Sequence, residues 1–227
     1  MISFSEKITK VFIIFYCFLF ISCAQNPNLV SSSYLTIFSL VSDNFFKKED
    51  IISPDIIESI PFASSLISFK ENGSKSLIIL ESKQNDTYRW VSSDRKIFLT
   101  NNGRVTGTVG LVNDLYEINR PSIKFEEILK KGSIRNYVAY YSFKKPSLNN
   151  LRVEISVKVI GKQRTSIHQG YKDLILVEER LVSKKINWKK TNRYWVDPEN
   201  FFVWKSEQNI SPKLPMLFIE VTKKPAE

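Results

Sequence analysis

"LRVEISVKV", residues 151–159, alternates without a break: Leu151, Val153, Ile155, Val157 and Val159 are apolar, and Arg152, Glu154, Ser156 and Lys158 are not. Successive side chains of a strand point to opposite faces, so period two means an extended chain with one buried face and one wet face. That is how an antiparallel sheet reads. Upstream, Arg135–Phe143 supplies a neighbouring strand. Ser65–Lys70 and Ser76–Ser82 flank the turn signal Glu71-Asn72-Gly73, and Thr87–Val91 and Lys96–Thr100 flank Ser93-Asp94-Arg95. Asn102-Gly103 marks a two-residue hairpin, because both central residues of a type I′ turn need positive φ. Downstream, Leu174–Trp188 and Met216–Val221 read as strands. Counting the hairpin at residues 193–208, the pattern gives about ten strands joined by short turns. The expected fold is mainly β: an antiparallel meander sheet, curled on itself or barrel-like, with an N-terminal amphipathic helix. That helix is expected at Ser31–Lys48, where Tyr34, Ile37, Phe38, Val41 and Phe45 share one face. Pro54–Ser59 and Phe125–Lys131 are candidate helical turns, and Pro146–Asn150 is a loop.

"RYWVDPENFFVWKSEQ", residues 193–208, holds two of the four tryptophans. Asp followed by Pro suits the start of a type I turn. A four-residue loop, Pro198–Phe201, would pair Val196 with Val203 and Trp195 with Trp204 on one face of a core-closing hairpin. The competing reading makes Trp195 and Trp204 an aromatic platform for glycan.

The chain begins with Lys7 and Lys10, an apolar run of eleven residues from Val11 to Ile21, and then Ser22-Cys23. The run is too short to span a bilayer, which takes roughly 20 residues, and it fits a secretory signal. Phe20-Ile21-Ser22-Cys23 resembles a lipobox, in which Cys23 is acylated and becomes the new N-terminus. The expected organisation is a cleaved signal peptide at 1–22, an acylated tether at 23–30 and a single β-rich periplasmic domain at 31–227. No Asp follows Cys23, which favours the outer membrane over inner-membrane retention. Cys17 is lost with the leader, so the mature chain has no partner for a disulfide.

The chain carries a formal net charge of +10, one less without the leader. Export argues against nucleic acid as the partner; acidic polysaccharide or anionic headgroups are compatible with the charge. No P-loop, dinucleotide fingerprint or HExxH motif is present, so no cofactor or metal site is expected. The single histidine, His168, lies in the polar stretch Thr165–Gly170. Asp197, Glu199 and Glu207 could form the two-carboxylate pair of a glycosidase, but turn and strand roles explain them as well. No catalytic residue is assigned.

Four blocks resemble one family. "RYWVDPENFFVWKSEQ" is similar to the C-terminal signature of the YjbF/GfcB outer-membrane lipoproteins. "SIPFASSLISF" (59–69), "RWVSSDRKIFLTNNGRVTGTVGL" (89–111) and "SPKLPMLFIEVTKKP" (211–225) resemble its other blocks in register. Phe62 stands where the family has Tyr, and Phe201 where it has a turn glycine. The resemblance implies a β-rich lipoprotein linked to group 4 capsule and exopolysaccharide secretion, acting beside an outer-membrane polysaccharide-export barrel protein. It brings no catalytic residues. The alternatives are a periplasmic glycan-modifying enzyme and a structural lipoprotein unrelated to glycan.

Intact mass spectrometry of the mature protein should give a chain starting at Cys23 and carrying acyl groups. Cys23→Ser should leave an uncleaved precursor or a soluble form; normal anchoring of that variant would refute lipidation at Cys23.

Overall fold

The computed structural model describes residue 52 and residues 54–69, 73–131 and 135–226. The leader, Cys23, the tether and the helix expected at Ser31–Lys48 lie outside the described residues. Among the described residues two short α-helices, α1 (Pro54–Ser59) and α2 (Phe125–Lys131), accompany twelve strands. The strands are β1 (Ser64–Ser68), β2 (Ser76–Gln84), β3 (Thr87–Ser92), β4 (Ile97–Asn101), β5 (Arg104–Val109) and β6 (Asp114–Asn119). They continue as β7 (Arg135–Lys144), β8 (Leu148–Ile167), β9 (Gly170–Ser183), β10 (Trp188–Val196), β11 (Val203–Gln208) and β12 (Leu217–Lys223).

All twelve belong to one antiparallel sheet in the order β5-β4-β3-β2-β1-β12-β11-β10-β9-β8-β7-β6. The ladder is continuous from β1 to β12 even though these are the ends of the domain (Ile67 pairs with Ile219). The edges of the sheet are therefore β5 and β6, which are consecutive in the chain. They face each other and close the sheet into a barrel, but among the described residues they form no backbone ladder. Side chains close the seam instead. Thr108 donates to Asp114 at 3.0 Å and accepts from the Leu115 N–H at 3.0 Å. Asp114 also accepts from the N–H groups of Gly110 and Leu111 at 3.1 and 2.9 Å. Register shifts in seven of the strand pairs, among them β2–β3, β4–β5 and β8–β9, bend the sheet enough to curl it.

The alternation in β8 is realised as read: Leu151, Val153, Ile155 and Val157 are buried, while Arg152 and Lys158 are exposed. Asn102-Gly103 forms the expected two-residue turn, with φ of +48° and +71°. Three details differ from the sequence reading. Asp114–Asn119 is a strand. Leu174–Trp188 is broken, because Lys184–Ile186 makes a 3-10 turn closed by left-handed Asn187. Pro146–Asn150 shrinks, because β8 already starts at Leu148.

The barrel is flattened, and two opposite walls touch. β5 is six places from β11 in the strand order, yet Gln208 of β11 accepts from Val105 N–H and donates to Gly103 carbonyl, both at 2.9 Å. A Cβ on Gly103 would lie 2.4 Å from Val203, so this turn needs glycine for close approach as well as for its φ. Beside this contact, Arg104 of β5 meets Glu179 of β9; both side chains are 3 % exposed, and the closest approach is 2.8 Å. The guanidinium lies 3.8 Å from the centre of the Phe125 ring and donates to the Ile123 carbonyl at 3.2 Å. Phe125 and Ile128 of α2 are fully buried, so the helix plugs this part of the barrel.

Tyr137 donates to Glu179 at 3.3 Å. Burial, reinforced by the Glu179 charge and opposed by Arg104, pushes its phenol up to about 12. The unfolded value is about 10. The stability this group contributes is therefore intact below pH 10 and is lost as the pH rises towards 12. Tyr137→Phe should cost about 1 kcal/mol at neutral pH, and its deficit against wild type should shrink between pH 10 and 12 in urea titrations. A deficit independent of pH would show that Tyr137 is not coupled to Glu179.

Candidate functional site

The antiparallel order puts alternate turns at the same end of the barrel. One end collects the β2–β3, β4–β5, β8–β9 and β10–β11 turns, α1, the segment leading into α2, and the residues after β12. A cavity of about 350 Å³ opens at this end. Its lining includes Asp86, Asn102, Phe201 and Lys224 from the rim and Ser65, Ile78, Ser206 and Ile219 from deeper on the strands, and among the described residues none from the turns at the other end.

The cavity has an aromatic wall and a basic rim. Tyr88, Trp90, Phe201, Phe202 and Trp204 border it. Trp90 donates its indole N–H to Thr100 at 2.9 Å, which fixes the ring. Among the described lining residues the charged groups are Lys83, Lys124, Lys205 and Lys224 against Asp86, and Asp86 pairs with Lys124 at 3.3 Å. Lysines also sit over the rings of this end. Lys172 lies 4.8 Å from the Trp204 ring centre, Lys224 5.4 Å from Phe202, Lys130 5.5 Å from Phe201 and Lys83 5.6 Å from Tyr88. Such contacts are worth about 0.5–1 kcal/mol at exposed sites, enough to bias where flexible ammonium groups rest.

Two buried polar atoms in this lining make no hydrogen bond among the described residues: Ser65 Oγ and Asn102 Nδ2. Ser65 is only 1 % exposed.

The hairpin at residues 193–208 has the expected four-residue loop, Pro198–Phe201. Asp197 N–H bonds the Phe202 carbonyl at 2.8 Å, and Val196 pairs with Val203. Phe201 takes the left-handed conformation, φ +59°, at the position where glycine was expected. The tryptophan pairing is corrected: Trp195 pairs with Lys205, because a register shift leaves Trp204 as the additional residue. Its indole N–H donates to Asp197 at 3.2 Å, and its ring meets Phe202 edge-on at 5.1 Å. Trp204 is 6 % exposed and forms a small second core with Ile167, Leu174 and Val221, against which Trp195 and Phe202 pack. Trp204 borders the cavity; Trp195 does not, and bonds Gln163 at 3.2 Å.

The acidic candidates have structural work. Asp197 accepts from the N–H groups of Glu199 and Asn200 at 3.0 and 3.4 Å, besides Trp204. Glu207 pairs with Arg193 at 3.1 Å, and Arg193 also holds Glu178 at 3.0 Å. Glu199 is exposed in the turn, and His168 lies in the two-residue turn between β8 and β9. Sequence reasoning missed Ser65, Tyr88, Trp90 and Asn102 as site residues. Only the aromatic content of β3 and the Asn-Gly turn gave a local signal for any of them.

The family described as group 4 capsule polysaccharide lipoprotein gfcB, YjbF matches residues 38–222. A lipoprotein of Escherichia coli strain K12, YjbF, is 21% identical over 192 residues, covering 82% of this chain and 85% of that protein. The crystal structure of the hypothetical lipoprotein YmcC from Escherichia coli K12 matches with a TM-score of 0.65 at 18% identity, covering 87% of this chain and 96% of that one. The last is a likeness of fold.

Trp204→Ala removes a buried ring, its bond to Asp197 and its contact with Phe202. It should cost about 3–5 kcal/mol in denaturant titrations. A variant as stable as wild type would mean that the ring serves the cavity alone.

Proposed function

The chain belongs to the group 4 capsule polysaccharide lipoprotein family, and from that premise we propose that it is a non-catalytic accessory of capsule or exopolysaccharide secretion. It is held in the outer membrane by acylated Cys23, with its barrel in the periplasm beside an outer-membrane export barrel protein. The observation that carries the binding role is the composition of the barrel mouth. Its aromatic wall and four lysines suit an acidic polysaccharide: rings stack on sugar faces, and ammonium groups attract carboxylates. Glycosidase chemistry needs two carboxylates free to flank a bond. Of those nearest the cavity, Asp86 pairs with Lys124, and Asp197 is bonded to its own turn and to Trp204.

Deleting the gene in its native host should lower surface or secreted polysaccharide. Wild type, Glu207→Gln and His168→Ala should each restore it, and the purified protein should release no new reducing ends from that polysaccharide. Unchanged export in the deletion strain would refute the accessory role. Failure of either variant to complement while folding normally would favour an enzyme.

A further inference from the structure

We propose that the cavity at the barrel mouth is an end-on site for one acidic sugar residue, the terminus or a single-residue branch of an anionic glycan. The proposal rests on the polysaccharide reading above and narrows it to a ligand class and a binding mode. Four observations converge on it.

The volume, about 350 Å³, lies near the lower limit of small-molecule sites, roughly 300–1,000 Å³. That suits one sugar ring with its substituents, not a long segment of chain. The lining reaches inward from a single end of the barrel, and none of the described lining residues comes from the opposite turns. A polymer crossing the site would need two openings; a chain end needs one.

The polar groups are those that sugar hydroxyls satisfy. Ser65 Oγ can donate and accept, Asn102 Nδ2 can donate, and neither has a partner among the described residues. An unsatisfied buried polar group costs about 1–3 kcal/mol, which a bound hydroxyl would recover once the side chain turns towards the cavity. An acyl chain would leave that cost in place. The Ser206 hydroxyl, which accepts from Gln208 at 2.9 Å, keeps its own proton for a ligand.

The charge chooses among sugars. Among the described lining residues Asp86 is the one carboxylate, and it faces Lys124, which leaves Lys83 at the cavity with no lining carboxylate as its partner. A neutral sugar would leave the Lys83 ammonium without a counter-charge, whereas a uronate brings the complementary carboxylate. The aromatic wall gives the apolar face of the ring its contact.

The test uses the acylated, mature protein in detergent, with tryptophan fluorescence and calorimetry as readouts. Methyl glucuronide should bind about tenfold more tightly than methyl glucoside, a difference of about 1.4 kcal/mol. Raising the salt concentration should narrow that gap. Asn102→Gly keeps the turn, because glycine accepts its positive φ, but deletes the amide. Ser65→Ala deletes only the hydroxyl. Each should weaken glucuronide binding with an unchanged circular dichroism spectrum, and Lys83→Gln should abolish most of the preference for the charged sugar. Oligouronides of increasing length should each bind one protein per chain.

Several proteins bound along one long oligouronide would overturn the end-on mode. Equal affinity for the glucoside, or equal competition by inorganic phosphate, would overturn acidic-sugar recognition. If the host polysaccharide retains the protein while no uronide binds, this proposal fails and the accessory role survives. If deletion leaves export unchanged, the accessory role fails whatever the uronides do.

Discussion

The contact between β5 and the walls facing it is the constraint on which the rest of the barrel depends. A twelve-stranded barrel left round would enclose a lumen too wide for side chains to fill, since eight strands already give an interior that side chains just fill. Gln208 solves this by bonding the β5 backbone across the lumen at two points. Next to it, the Arg104–Glu179 pair ties β5 to β9. A buried ion pair gains little in net stability, but removing one partner costs about 3–5 kcal/mol because the other charge is left stranded. Here both charges are well supplied. Arg104 has Glu179, the Ile123 carbonyl and the Phe125 ring, and Glu179 also receives the Tyr137 hydroxyl. The arrangement specifies which walls meet more than it adds stability.

Flattening also accounts for the cavity. Where the walls touch, Gly103 meets Val203 and no space remains. On the side of β6 to β10 the space is filled by α2 and by fully buried Phe125, Ile128, Leu151 and Tyr194. On the side of β1 to β4, β11 and β12 lies the cavity, bordered among others by Ser65, Trp90 and Val221. One set of contacts thus separates a packed half from a hollow one, and the cavity lies in the hollow one.

How much could be read beforehand follows from how local each signal is. The alternation in residues 151–159, the Asn102-Gly103 turn and the Asp197-Pro198 loop are written in neighbouring residues, and all three are present as read. Asp114–Asn119 escaped because only Leu115 and Ile118 are aliphatic and most of the strand is not buried. The break at Lys184–Ile186 escaped because no glycine or proline marks it; Asn187 supplies the left-handed residue instead. The Trp195–Trp204 pairing failed because a bulge changes register without any compositional mark. The candidate site was least legible. Ser65, Trp90, Asn102 and Lys224 meet only once β1 and β12 pair and the walls collapse, and nothing in their local sequence announces that they share a cavity.

The barrel is laddered across one seam that the chain does not join, and left without a ladder across one that it does. β1 and β12, at the two ends of the domain, share a full ladder. β5 and β6, joined by residues 110–113, are held mainly by Thr108 and Asp114. A ring of strands opens at its weakest seam, and this seam is the one that the peptide itself spans. When it parts, the two edges cannot diffuse away, and the short link keeps them at high effective concentration for one another. The barrel can breathe there and reclose without losing its register elsewhere. A foreign strand competing for either exposed edge has to outrun a partner tethered four residues away.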